Sequence, residues 1–77
     1  MKAIIQGITV QLYPSGANCT ASFHGQASCR GVTITSISVT AKSANDAVNR
    51  SRELIIKARR NGEPASSEYG HVVAYRG

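Results

Sequence analysis

Residues 43–64, SANDAVNRSRELIIKARRNGEP, decide the architecture, because they spell one complete helix with both ends marked. Ser43 followed three residues later by Asp46 reads as a capping box, in which the Ser43 hydroxyl takes an orphan backbone N–H of the first turn. Asp46 also lies at the positive end of the helix dipole. Ala44, Ala47, Val48, Ser51, Leu54, Ile55 and Ala58 recur at 3.6-residue spacing as one apolar stripe, with Leu54 near its centre. Lys57, Arg59 and Arg60 fall in the last turn, where cations are favoured. Asn61-Gly62 and then Pro64 stop the helix.

The residues on the amino-terminal side alternate with period two. From Lys2 to Tyr13, Ile4, Ile8, Val10 and Leu12 share one parity, with Ile5 as the exception, which predicts one strand with one buried face. Pro14-Ser15-Gly16-Ala17-Asn18 is a turn. From Cys19 to Cys29 the odd positions are small and apolar around Phe23, and the even ones are polar; Gly25 marks a bulge or bend. Val32 to Ala41 is rich in β-branched residues, and its apolar parity changes near Thr35–Ser36, as a β-bulge would require. After the helix, residues 63–70 (EPASSEYG) read as a surface loop, and His71–Arg76 as a short final strand.

These elements predict one α+β domain over residues 1–77: a small antiparallel three-stranded meander followed by one amphipathic helix and a short C-terminal strand. The order is β-β-β-α-β, with the helix packed on one face of the sheet to bury its stripe. The last strand is expected to run parallel to the first and third, in an outer position, after a right-handed crossover.

A chain of 77 residues with 42% hydrophobic content can fold, but with a thin core. That favours a homo-oligomer completing its core across an interface, and disfavours an enzyme with a deep pocket of its own. The third predicted strand, with no charge between Val32 and Ala41, is the edge least defended against pairing with another chain if the last strand does not cover it. The polar side of the sheet, rich in Thr, Ser and Gln, is a second surface at which two sheets can meet.

Nothing in the amino-terminal residues has the continuous apolar core of a signal peptide, and no stretch approaches a membrane helix, so a cytoplasmic protein without membrane contact is expected. Cys19 and Cys29 lie on one face near opposite ends of a continuous strand, about 33 Å apart when extended, far beyond the reach of a disulfide. Two reduced thiols, both protected from alkylation, are the expectation. His24 has the parity opposite to both cysteines and points through the other face, which argues against a zinc site and against a Cys–His nucleophilic pair. Glu63, Glu68 and His71 form an exposed loop cluster rather than an acid–base site. No phosphate loop, dinucleotide fingerprint, HExxH, GxSxG or CxxC is present, so no enzyme, metal or cofactor is expected.

Nine Lys and Arg against four Asp and Glu leave a net charge of +5. Much of it belongs to the helix: Arg50, Arg52, Lys57, Arg59 and Arg60 are countered there only by Asp46 and Glu53. At about 100° per residue, Arg52 and Arg59 share one line beside the buried stripe, with Asn49, Ile56 and Arg60 continuing around that side. Two functional readings follow. The first is a small non-enzymatic binding or adaptor module, acting as a homodimer through a sheet edge or sheet face. The second is a basic nucleic-acid-binding accessory protein, or one with an acidic protein partner, contacting phosphates or carboxylates through Arg52, Arg59, Arg60, Lys57, Arg50 and Asn49. A cluster of aromatics for stacking single-stranded bases is lacking.

Overall fold

The first predicted strand is two strands, because Gln6 and Gly7 both adopt left-handed backbone, with φ of 51° and 82°. That is the two-residue turn that joins tight hairpins. It sets Ile5 directly across from Ile8. Ile5, the exception in the alternation, is therefore core, whereas Ile4 faces solvent. The computed structural model describes residues Met1–Gly77. Its elements are β1 (Lys2–Ile5), β2 (Ile8–Ser15), β3 (Asn18–Cys29), β4 (Val32–Ala41), α1 (Ala44–Asn61), β5 (Ala65–Ser67) and β6 (Gly70–Arg76).

The strands make a single six-stranded sheet in the order β1-β2-β3-β4-β6-β5, with every neighbouring pair antiparallel. This corrects the expected β-β-β-α-β arrangement of a three-stranded meander with a parallel last strand. The expected loop after the helix holds β5, whose Ala65 is buried, and a tight turn at Glu68-Tyr69 brings the chain back as β6. That additional reversal makes β6 antiparallel to β4. The strand parallel to β4 is β5, one position farther out. β4, expected as the least defended edge unless the last strand covered it, is covered: it lies inside the sheet between β3 and β6. The outermost strands are β1, four residues long, and β5, three residues long and preceded by Pro64; beyond them Val73–Arg76 of β6, and beside β2 Phe23–Cys29 of β3, have one side without a partner strand. The two outermost strands by themselves give another chain little to pair with.

Two irregularities bend the sheet. Gly25 and Gln26 of β3 stand against Thr35 alone, and β4 carries one residue more than β6 between Ile34 and Ser36. The second bulge turns Val32, Ile34, Ile37, Val39 and Ala41 onto one face despite their change of parity, and all five are buried.

The helix begins and ends where its signals stand. Ser43 has extended backbone and its hydroxyl accepts from the Asp46 N–H at 3.1 Å, while the Gly62 N–H donates to the Ala58 carbonyl from a left-handed conformation. Ala47, Ser51, Leu54, Ile55 and Ala58 of α1 are buried against the sheet, with Ala44 and Val48 half-buried at the margin. The result has two layers: one helix, one sheet, and a core of 18 apolar residues between them. The other face of the sheet has nothing over it.

Candidate functional site

The uncovered face takes its character from strand alternation. Every residue that does not point at the helix points here, and the registers align them in rows across the sheet. One row runs through all six strands as Lys2, Gln11, Ser22, Ser38, His71 and Ser66. Beside it lie Tyr13, Thr20 and Thr40; on the other side, Ser36 with Val73, and then Ser28, Thr33 and Tyr75. Several hydroxyls already satisfy one another: Thr20 with Thr40 at 2.9 Å, and Ser28 with Thr33 at 2.8 Å. Covering the face would therefore strand fewer polar groups than its composition implies.

Large apolar side chains stand among these small polar ones. Ile4 is 75% exposed, Tyr13 56%, Tyr75 47% and Val73 38%, so four of the six exposed large hydrophobics of the protein occupy this one face. No carboxylate lies on it. Its tyrosines are rigid amphipathic side chains, and the Ser, Thr, His and Gln around them are hydrogen-bonding groups.

The cations of the helix divide into two groups. In its first half, Arg50 lies 3.8 Å from Glu53 and stacks over the Tyr69 ring with its guanidinium 4.4 Å from the centroid. Arg52 donates to the Asn49 side-chain oxygen at 2.9 Å. These three, Asn49, Arg50 and Arg52, are engaged with neighbours on their own side of the domain. In the second half, Arg59 donates to the Gln6 carbonyl at 2.8 Å, tying the helix to the β1–β2 turn, while Lys57 and Arg60 are exposed and form no ion pair. Arg59 is thus partly a structural side chain. Arg30, absent from the residues expected to form a site, comes to the same end of the molecule through the β3–β4 turn and lines a cleft with Arg59 and Arg60. No local signal in the sequence marks that placement, because it depends on two turns and a helix end converging.

The sheet keeps the histidines and the thiols apart. His24 and His71 stand on the uncovered face, opposite Ser36 and Ser38 respectively, whereas both thiols are on the helix side. Cys19 and Cys29 are free; Cys19 is buried, but Cys29 is only half-buried at the rim of the Arg59 cleft, so the expected equal protection of both thiols does not hold. No group of three His, Cys, Asp or Glu side chains comes together to hold a metal ion. No helix is long and apolar enough to cross a membrane. Compared with known proteins, the chain matches no family model, no curated protein and no solved structure.

Proposed function

We propose that this protein is a non-enzymatic binding module that works as a homodimer, two copies meeting across their uncovered sheet faces. The observation that carries the reading is that Ile4, Tyr13, Val73 and Tyr75, four of the six exposed large hydrophobics, lie on a face that no helix covers, on β1, β2 and β6. A sheet buries its strands on both sides most readily when a second layer packs about 10 Å away, and a second copy of the same sheet supplies that layer. The two longer axes of the molecule, 38 and 22 Å, bound the contact at roughly 800 Å² per copy, the area of a standard stable interface. Strand addition to β1 or β5 themselves would involve four and three residues.

Light scattering tests this at tens of micromolar. Wild type should have twice the 8.1 kDa mass of the chain. Val73→Lys should return the mass to that of one chain, because the new charge would have to be buried against the partner sheet without a carboxylate to pair with. Val73 is already partly exposed, so the variant should keep its circular dichroism and its melting behaviour at low concentration. A wild-type protein that remains monomeric overturns the proposal. So does a dimer indifferent to Val73→Lys and to Tyr75→Lys, since its interface would lie elsewhere.

A further inference from the structure

The β2–β3 ladder stops at Gln11 and Ser22, although β3 continues to Cys29. Beyond that point β3 bends at the Gly25–Gln26 bulge, and the two strands part. The seam that opens lies on the helix side, between the β1–β2 turn, the β3–β4 turn and the last turns of α1. It holds a cleft of about 490 Å³ lined by Gln6, Cys29, Arg30, Ile56, Arg59 and Arg60. A neighbouring hollow of about 530 Å³ shares Gln6, Cys29 and Arg59 and runs on past Phe23. Three of the six residues of the first cleft are arginines, and neither hollow is lined by a carboxylate.

The central arginine is held in place and incompletely used. One terminal nitrogen of Arg59 donates to the Gln6 carbonyl at 2.8 Å, yet its Nε is shielded from solvent and has no acceptor. A guanidinium has five donors and no way to shed its charge; with Nε closed off from the cleft as it is from water, the terminal N–H groups not given to Gln6 are the donors left for an acceptor there. The helix C-terminus accounts for Lys57 and Arg60, since cations are favoured there. It does not account for Arg30, delivered from a separate turn, or for the tether to Gln6 that holds Arg59 at the cleft.

We propose that this cleft binds a phosphoryl group, with Arg59 as the anchored donor and Arg30 and Arg60 closing on the remaining oxygens. Arginine forks match the oxygens of a phosphate geometrically, and a mouth without carboxylates imposes no competing acceptor. The hollow beyond, over Phe23, leaves room for the rest of a phosphorylated molecule. The arginine cleft is on the helix side and does not depend on the face-to-face dimer, whereas the hollow beyond it passes through the seam to Thr9 and Ser28 of the uncovered face. It narrows the helix-mediated phosphate contact expected from the sequence to the last turns of α1, and adds Arg30 to it.

Cys29 reports occupancy. Native protein is treated with N-ethylmaleimide, a neutral reagent, in chloride or in phosphate at equal ionic strength, and adducts are counted by mass spectrometry. Phosphate at about ten times its dissociation constant should slow Cys29 labelling about tenfold, by mass action. The amide resonances of Gln6 and Arg30 should shift along the same titration. A second arm replaces inorganic phosphate with a short single-stranded oligonucleotide. Protection by the oligonucleotide alone identifies a phosphodiester backbone as the source, and protection by inorganic phosphate alone identifies a free anion; either supports the site. The double variant Arg30→Gln, Arg60→Gln spares the Arg59–Gln6 bond, so it should fold, label at the unprotected rate and show no response. Equal labelling and unmoved resonances in both arms, or protection that survives the double variant, overturn the proposal.

Discussion

Gly70→Ala should be among the most damaging single substitutions in this protein, lowering stability by on the order of 3–5 kcal/mol. Gly70 opens β6 with φ of 150°, a conformation that residues with a side chain rarely adopt, directly across from Val39 of β4. A Cβ added there would run into the Ser38 carbonyl oxygen and would lie 2.8 Å from the Val39 Cα. Both are backbone atoms of the central strand. Neither can move without opening the β4–β6 ladder over Val39, which is fully buried. Against the roughly 4–12 kcal/mol expected for a domain of this length, such a loss leaves little folded protein at the warm end of its range. Urea unfolding followed by circular dichroism measures it. A variant within about 1 kcal/mol of wild type would contradict the close approach of β6 to β4, and the sheet order with it.

Ile55→Ala should rank next, at about 2–5 kcal/mol, with Leu54→Ala close behind. Ile55 is fully buried where α1 lies on the sheet, and removing three carbons there leaves a cavity that a two-layer core has few side chains to fill. Ile56 is the internal control. It is 37% exposed beside the Arg59 cleft, and Ile56→Ala should change stability by less than about 1 kcal/mol. The same urea experiment, run on both variants at one protein concentration, gives the contrast. A larger loss at Ile56 than at Ile55 would mean that the helix presents a different face to the sheet.

How far the fold could be read from the sequence depended on whether its signals were local. The helix ends are local: a hydroxyl three residues before the amide it caps, and a glycine that closes the last turn. Both sheet irregularities also left marks within a few residues, as Gly25 in β3 and as the parity change at Thr35–Ser36 in β4. The β1–β2 turn was marked too, by Ile5 falling out of phase. One unbroken strand accommodated all but one of the apolar residues, however, and Gln6-Gly7 lacks the Asn or Asp that usually announces such a hairpin. β5 left almost nothing to read. A three-residue strand with one buried residue, Ala65, has no periodicity, and it exists because β6 offers it an edge. Missing it inverted the direction of the last strand and misplaced the sheet edges.

The candidate sites divide along the same line. The polar alternate positions of β3 and β4, and the cations of α1, are visible as one-dimensional patterns. Which of those cations are free is not, because the engagement of Arg59 by Gln6 and of Arg50 by Tyr69 joins residues distant in the chain. Arg30 shows this most clearly. Alone it is a turn residue, and beside Arg59 and Arg60 it completes a cluster of three.

The face-to-face dimer is tested most directly by isotope-filtered nuclear magnetic resonance on an equal mixture of labelled and unlabelled protein, which detects contacts between copies only. The proposal predicts intermolecular contacts from Ile4, Tyr13, Val73 and Tyr75, and none from the apolar side chains of α1. Intermolecular contacts confined to the helix or to the β1 and β5 edges, or their complete absence in concentrated protein, would contradict it.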